Sequence, residues 1–447
     1  MAVAQRVEER AEQRRQRLAF WFANLVALGW AVFSAWVARG WAQSLGTVVT
    51  MPVAIIIIAA IAIIPGYMNF LLLMSLLVYR YPPLKLDIEY PPATILIAAY
   101  NEEAVLRETF RGIKQQDYPA PLEVIVVDDG STDGTAQVLE EIQREMPNLK
   151  IVRAEHGGKS AALNRGLEEV KTEVVVTIDA DTFLYRNAVQ RIVARLLSNP
   201  DFAAVAGHVL AKNERMSRLA RMQAWDYMLA IAAVKRQQSF FQGTLVAQGS
   251  FSVFRRSALQ AVRGWRDRVG EDIVLTWGLI GQGYKISYEP TAFAFTNVPV
   301  GYRRFARQRE RWARGMIEGF KDHFSVLWRR PSYTAYFIFL DLFFPITDFF
   351  YSLAFIPGLI IALVGIFHPF PGRFAVVGPM TLLVLPITVL IILVMFATQR
   401  RFLEEAGIKI RRNRLGLVLY GLVYQILLSP VCTFGYFKEF FGLRPRW

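Results

Sequence analysis

Three pairs of acidic residues in the middle of the chain have side chains and surroundings suited to chemistry. They are Asp128 with Asp129, Asp179 with Asp181, and Glu271 with Asp272. An Asp-x-Asp pair at a strand end can aim both side chains around one turn, and it offers the hard oxygen ligands that Mg²⁺ or Mn²⁺ prefers. A carboxylate can also act as a general base. Each pattern also occurs in ordinary turns or first helical turns, so context must decide between these interpretations.

Two further segments could bind an anion or a sugar ring. Residues 156–159 read His-Gly-Gly-Lys and precede a predicted helix, whose amides and lysine could hold an anionic group. Gln308, Arg311 and Trp312 have the spacing Gln-x-x-Arg-Trp. Snorkelling arginine and interfacial tryptophan are the ordinary alternative for the second segment. Its spacing favours a binding role.

The helix that carries Gln-x-x-Arg-Trp is predicted to be amphipathic and basic. Over residues 302–328, Phe305, Trp312, Met316 and Phe320 recur on one face, and arginines fill the other faces. A helix of this kind is expected to lie along a membrane surface.

The elements that must position these residues follow an α/β pattern between residues 79 and 330. Strands are predicted at residues 94–98, 123–127, 149–152 and 174–178, and helices at 102–116, 135–144 and 159–169. Alternation of this kind indicates a doubly wound, mostly parallel sheet, in which ligands bind beyond the carboxyl ends of the strands. The sequence contains neither Gly-x-Gly-x-x-Gly nor a P-loop motif, which argues against dinucleotide oxidoreductases and P-loop enzymes.

Apolar windows flank this region at both ends. Of the 447 residues, 54% are apolar, which is unusual for a wholly soluble protein. Windows long enough to cross a bilayer, about 20 residues, occur at residues 18–37, 49–78, 336–366, 374–397 and 415–434. We therefore predict an α/β domain inserted between transmembrane helices.

Basic residues predict the orientation of these spans. Five arginines precede the first span, whereas the loop to the second carries only Arg39. The positive-inside rule then places the N-terminus and the central domain in the cytoplasm, and the basic loop at residues 400–414 agrees. The net charge of +14 is assigned to contact with anionic lipid and not to nucleic acid.

The predicted domain organisation has four parts. Residues 1–78 hold two transmembrane helices, 79–299 a cytoplasmic catalytic domain, 300–332 amphipathic interface helices, and 333–447 about three transmembrane helices. A multi-pass protein of the inner or plasma membrane is expected.

Taken in order, these motifs resemble those of the membrane-embedded family 2 glycosyltransferases, which make cellulose, hyaluronan and poly-N-acetylglucosamine. The resemblance implies a GT-A-like cytoplasmic domain. Residues 235–239 and 249–259 look most like the poly-N-acetylglucosamine branch, and residues 223–227 resemble its acceptor segment, with Asp226 where glutamate is usual. His156 stands where such enzymes commonly have asparagine.

The resemblance also implies which residues hold the donor. Asp129 and Lys159 would help to hold a UDP-sugar, and Ala99, Tyr100 and Glu102 would border the nucleotide. UDP-N-acetylglucosamine is the expected donor.

Asp181 would be the ligand of Mg²⁺ or Mn²⁺, with Asp179 nearer the ribose and diphosphate. Glu271 and Asp272 correspond to the family's acidic base motif, in which Asp272 would take the proton from the acceptor hydroxyl in an inverting reaction.

On the acceptor side, the resemblance implies that Trp312 stacks on the terminal sugar, while Gln308 and Arg311 close over the diphosphate. Asp341 and Asp348, inside the third span, could line a path for the polymer, or could simply form hydrogen bonds between helices. The expected partners are a polysaccharide or lipid acceptor and the bilayer, and a small membrane subunit is a further candidate.

Other functions fit part of the pattern. A non-processive enzyme that adds one sugar to a lipid could share every cytoplasmic motif, as could a hyaluronan or cellulose type of synthase. A transporter with a soluble insert would leave the carboxylates unexplained, and a glycosidase with paired acids would not need a nucleotide-type sheet edge.

Overall fold

The computed structural model describes residues 2–241, 243–329, 332–367, 384–408 and 413–443. The strands found there are β1 (Ala93–Ala99), β2 (Leu122–Asp128), β3 (Leu149–Arg153), β4 (Val174–Asp179), β5 (Phe183–Leu184), β6 (Phe202–Ala211), β7 (Phe251–Arg255) and β8 (Lys285–Thr296). The four strands predicted from the sequence are β1 to β4, each within two residues of its predicted ends. Their apolar, often β-branched residues suit strands that are buried on both faces.

These strands form one sheet in the order β3-β2-β1-β4-β7-β6-β8-β5. The half from β3 to β4 is parallel, whereas β7 runs antiparallel to both of its neighbours, β4 and β6. β8 runs parallel to β6 and antiparallel to β5. The sheet is therefore mixed, and the predicted doubly wound pattern describes its first half.

Helices cover both faces of the sheet because alternate strand residues point to opposite sides. Ile95 and Ile97 of β1 pack in one apolar cluster with Leu106. Leu96 between them packs in another with Leu163.

Three of the covering helices were predicted within two residues of their ends. The helices of this region are Glu103–Lys114, Thr135–Glu145, Lys159–Glu169, Ala188–Leu197, Arg218–Trp225, Ala232–Phe240, Arg256–Ala261, Glu271–Gly281, Tyr302–His323 and Val326–Arg329, with a π-helical segment at Asp226–Ile231.

Long apolar helices flank the sheet domain in the chain. Among the described residues, four are long and apolar enough to cross a membrane: Gln13–Val37, Met51–Val78, Tyr333–Ile361 and Arg414–Phe440. These contain π-helical segments at Ala59–Ile63, Tyr351–Phe355 and Tyr420–Tyr424. Further helices are Arg39–Gly46 and Val384–Glu405. The predicted span at 374–397 begins outside the described residues. Residues 409–412 of the basic loop also lie outside them.

The contacts of Asp348 support hydrogen bonding between helices, one of the two roles that the sequence left open for this residue. Its carboxylate accepts hydrogen bonds from the hydroxyls of Ser429 (2.6 Å) and Tyr436 (3.1 Å). Both donors lie in the last apolar helix, so Asp348 forms hydrogen bonds between helices.

We call Tyr302–His323 the interface helix, because it lies between the sheet domain and the last apolar helix. Phe305 and Phe320 of the predicted apolar face are buried, whereas Trp312 is 43% exposed. Arginines were predicted to fill the other faces, but Arg309 lies on the face of Phe305 and Trp312, and both Arg309 and Arg314 are buried. Acids from other elements neutralise them, and Arg314 pairs with Glu439 at 2.9 Å.

Two glycines let the interface helix approach the loop before Glu271. A β-carbon added to Gly315 would lie 2.6 Å from the α-carbon of Gly270, so the two backbones are in direct contact. The Gly270 amide also donates a hydrogen bond to Glu318 on the same helix, at 2.9 Å.

Gly315→Ala is expected to destabilise the protein by about 1–3 kcal/mol, because the added methyl group must push the two backbones apart. Helix propensity alone would favour the substitution by about 1 kcal/mol. The sign of the change in the free energy of unfolding therefore tells whether the close contact or the propensity dominates. Thermal unfolding in detergent measures it. Gly29→Ala, inside the first apolar helix and with nothing within 4 Å of the added carbon, serves as the control. A midpoint for Gly315→Ala equal to or above that of the unsubstituted protein would rule out the close contact.

Candidate functional site

The register of the parallel strands brings the strand-end acids together. Ala99 at the end of β1 lies opposite Asp128 at the end of β2. On its other side, Ala98 lies opposite Asp179 at the end of β4. The chain therefore places residues 99–102, Asp129 and Asp181 around one edge, as expected for the carboxyl ends of parallel strands.

Asp129 organises the loop before the helix Lys159–Glu169. Its two oxygens accept hydrogen bonds from the amides of Gly157 and Gly158, both at 2.9 Å. The same carboxylate lies 2.9 Å from Nδ1 of His156. The Tyr100 ring stacks on the His156 ring, with centroids 4.1 Å apart. Asp129 thus orients the loop that leads into Lys159.

Lys159 lies between two acids that the sequence places far apart. Its Nζ is 2.6 Å from Oδ1 of Asp179 and 3.1 Å from Oε1 of Glu271. Burial alone would lower the pKa of Lys159, but Asp179 and then Glu271 more than offset this, so the pKa is raised. The ammonium group stays charged at neutral pH.

Gly249 approaches this ion pair closely. A β-carbon there would lie 2.6 Å from Nζ of Lys159, so the position has no room for a side chain unless the lysine moves.

Asp272 is the acid best prepared to accept a proton. It stands in the first turn of the helix Glu271–Gly281, and its Oδ1 accepts a hydrogen bond from the Ile273 amide at 2.8 Å. Oδ2 faces the amide of Gly249 at 3.4 Å. Burial, followed by repulsion from Glu271, raises the pKa of Asp272 to about 6. A carboxylate with a raised pKa is a stronger base that remains ionised at neutral pH.

Two further acids, Asp181 and Glu102, add negative charge near Asp179. Asp181 accepts a hydrogen bond from the Thr296 hydroxyl at 3.1 Å, and burial and then Asp179 raise its pKa. Burial raises the pKa of Glu102 to about 7, with further contributions from Asp181 and Asp179. A bound cation would relieve this repulsion. Within the part of the chain that the structure describes, no three acids or histidines form a metal site by themselves, so a cation here would need oxygens from a ligand.

The Gln-x-x-Arg-Trp residues lie on consecutive turns of the interface helix. Gln308, Arg311 and Trp312 share one face, because residues three and four apart are neighbours on a helix. The side-chain oxygen of Gln308 is buried and accepts no hydrogen bond from the described residues. Arg311 and Trp312 are exposed.

Tyr227 lies near both the interface helix and the acids at the sheet edge. Its ring centroid lies 6.3 Å from that of Trp312. Its pKa is raised to about 12, chiefly by burial, and the charges of Asp181 and Asp179 are near enough to contribute.

Lys235 is a residue of the site for which the sequence alone predicted no chemical role. Lys235 is buried, and its Nζ donates hydrogen bonds to the Val246 carbonyl, at 2.8 Å, and to the Gln248 side chain. Burial lowers its pKa to about 7, and Asp272 acts in the opposite direction. The helix that holds it reads Ala-Ala-Val-Lys-Arg-Gln-Gln-Ser-Phe, so no local pattern distinguishes Lys235 from its polar neighbours. His208 is buried, with Nδ1 3.0 Å from the Pro290 carbonyl oxygen.

Together these groups offer a cationic position between acids, a base of raised pKa, and an exposed aromatic ring. This arrangement suits transfer of a group from an anionic leaving group to a hydroxyl.

Known proteins share this sequence pattern and fold. Residues 94–263 match the family described as Glycosyl transferase family 2. A poly-beta-1,6-N-acetyl-D-glucosamine synthase of Staphylococcus aureus (strain COL) is 31% identical over 250 residues, which cover 56% of this chain and 60% of the relative. The synthase of the same name from Staphylococcus epidermidis is 34% identical over 224 residues, covering 50% and 54%. The chain thus spans somewhat over half the length of these relatives.

Among solved structures, a mannosyltransferase from Pyrobaculum calidifontis in complex with GDP-Man and Mn²⁺ superposes with a TM-score of 0.58. The match covers 87% of this chain and 98% of that one at 20% identity, which establishes similarity of fold. Residues 94–263 thus match glycosyltransferase family 2, the mixed sheet has a GT-A-like fold, and the chain is similar to poly-β-1,6-N-acetylglucosamine synthases.

Proposed function

We propose that this protein transfers N-acetylglucosamine from UDP-N-acetylglucosamine to the end of a growing polysaccharide, with inversion at the anomeric carbon. The observation that carries the proposal is the group of Lys159, Asp179, Glu271 and Asp272 at the carboxyl edge of the sheet. It combines a base of raised pKa with a fixed cation. Similarity to the staphylococcal synthases supports the choice of sugar.

In this mechanism, Asp272 takes the proton of the acceptor hydroxyl as that oxygen attacks the anomeric carbon. The bond to the diphosphate oxygen breaks, and UDP leaves with the electron pair. Lys159 and Arg311 stabilise the negative charge of the diphosphate, and no separate acid is needed. Gln308, whose buried side-chain oxygen accepts no hydrogen bond from the residues that the structure describes, would accept one from the bound donor.

Asp181, beside Asp179 and Glu102, would hold the divalent cation together with oxygens of the diphosphate. Mg²⁺ or Mn²⁺ bound there supplies positive charge to the leaving group. The mutual repulsion of these acids fits such a role, because a cation would lower the free energy of keeping all three ionised.

On the nucleotide side, we assign Ala99, Tyr100 and Glu102 to the border of the uridine site, since Ala99 ends β1 and the other two follow it at the sheet edge. Asp129 acts mainly through the loop that it holds. Trp312 offers an exposed ring to the acceptor sugar.

Location in a membrane follows from the apolar helices that flank the GT-A-like domain. We propose a multi-pass protein of the inner or plasma membrane with residues 79–299 in the cytoplasm, interface helices at 300–332, and the product leaving through the membrane. A small membrane subunit stays a prediction. Transfer of one sugar to a lipid is the main alternative, and product length distinguishes it.

UDP release by the detergent-purified protein with Mg²⁺ or Mn²⁺ tests the proposed reaction. Among UDP-N-acetylglucosamine, UDP-glucose and UDP-glucuronate, the first is expected to give the fastest release. Asp272→Asn should lower the rate about 10²–10⁴-fold, since the base is lost. Asp267→Asn, an exposed acid in the preceding loop, should leave it unchanged. Equal rates in the unsubstituted protein and Asp272→Asn would exclude Asp272 as the base, and absence of release from every donor would refute the proposed transferase.

The dependence of kcat/KM on pH should show a rising limb near pH 6. Below the pKa of Asp272, the base is protonated and the rate falls about tenfold per pH unit. Lys235→Met should move this limb to higher pH, because the lysine cation lowers the pKa of Asp272. Lys171→Met, on the protein surface, is the matched control. A limb that stays in place in Lys235→Met would show that the two groups do not interact.

Metal dependence tests the role of Asp181. Asp181→Asn should raise the Mn²⁺ concentration needed for half-maximal activity at least about tenfold, because one anionic ligand is lost. Asp201→Asn, which alters an exposed ion pair with Lys285, should not change it. Identical Mn²⁺ titrations of the two variants would remove Asp181 from the metal site.

A further inference from the structure

Arg309 is a buried cation in the middle of the interface helix, at one of the unspecified positions of Gln-x-x-Arg-Trp. Only 3% of its surface is exposed. Its Nη2 lies 2.9 Å from Oδ2 of Asp226, a buried acid on the π-helical segment Asp226–Ile231. The same carboxylate oxygen accepts a hydrogen bond from the Tyr424 hydroxyl at 2.8 Å. Three separate segments therefore meet at Asp226.

Such an arrangement is not explained by stability alone. Removing two charges from water costs several kcal/mol per ion, and replacement of a buried ion pair by apolar residues is often neutral or stabilising. Moreover, Nε of Arg309 is buried without a hydrogen-bond partner among the described residues. Asp226 and Tyr424 both lie in π-helical segments, which occur frequently at functional sites.

Trp312 is the side chain that this cation supports. The guanidinium carbon of Arg309 lies 3.9 Å from the centroid of the Trp312 ring, within the range of a cation–π contact. Trp312 nevertheless remains 43% exposed. Because the guanidinium covers one side of the indole, the exposed area is available to a ligand.

We propose that Arg309 is a positioning residue for the acceptor: held by Asp226 and Tyr424, it fixes the Trp312 indole so that a sugar ring stacks on the open face. The inference rests on the proposed function, in which Trp312 contacts the acceptor. Arginine suits the role because its planar group can stack and pair at once, whereas lysine presents a point charge. Tyr424 belongs to the last apolar helix, so the acceptor platform is joined to that helix.

A double-mutant cycle tests the inference, with a short β-1,6-linked N-acetylglucosamine oligosaccharide as acceptor and each substrate varied at a saturating concentration of the other. Arg309→Lys should raise the acceptor KM about tenfold and leave the donor KM unchanged, because the indole loses its support. In a Trp312→Ala background, Arg309→Lys should have little further effect on acceptor KM. A merely structural role would lower kcat and both affinities together and would act independently of Trp312.

Tyr424→Phe keeps the ion pair and removes one hydrogen bond to Asp226, so it remains informative if Arg309→Lys does not fold. It should raise acceptor KM about two- to fivefold, and again only when Trp312 is present. Arg307→Lys, on an exposed position of the same helix, is the matched control and should change nothing.

The outcomes separate the two proposals. Independent effects of Arg309→Lys and Trp312→Ala, with normal UDP release in the unsubstituted protein, would overturn the positioning role and leave the proposed function intact. Absence of UDP release from the unsubstituted protein would overturn the proposed function and this inference with it.

Discussion

Repulsion between carboxylates at one edge of the sheet is the constraint on which the site depends. Glu102, Asp179, Asp181 and Asp272 lie close enough to one another or to further acids for their charges to matter, and Lys159 is the cation placed among them. One lysine cannot neutralise the whole group. The remaining negative charge favours a divalent cation. Burial, followed by repulsion from Glu271, keeps the pKa of Asp272 high enough for a base.

The backbone around this cluster is built for close approach. Gly249 leaves room for the Lys159 ammonium, and Gly270 meets Gly315 without side chains between them. The second contact sets the distance between the interface helix and the helix that begins at Glu271. Since Gln308, Arg311 and Trp312 all belong to the interface helix, their position relative to Asp272 depends on two glycines.

His156 departs from the asparagine that is common in the related enzymes, and the structure gives the substitution a consistent role. The imidazole contacts Asp129 and stacks on Tyr100, so it links the ends of β2 and β1. An asparagine could accept or donate the same hydrogen bond but could not stack. The change therefore concerns how the proposed nucleotide border is held, and it leaves Asp272, the proposed base, and the Lys159 group untouched.

The sequence by itself determined the elements and the chemical inventory: the βαβ pattern, the apolar helices, and the acids that follow β1, β2 and β4. These properties are local, because apolar periodicity and strand-end residues are read over a few positions. Only the tertiary structure decided which side chains pair with one another. Arg309 meets Asp226 across 83 positions and Arg314 meets Glu439 across 125, so helical periodicity could not predict that both arginines are buried against acids from other segments. The antiparallel insertion of β7 and the influence of Lys235 on Asp272 likewise depend on contacts between distant segments, which no local pattern encodes.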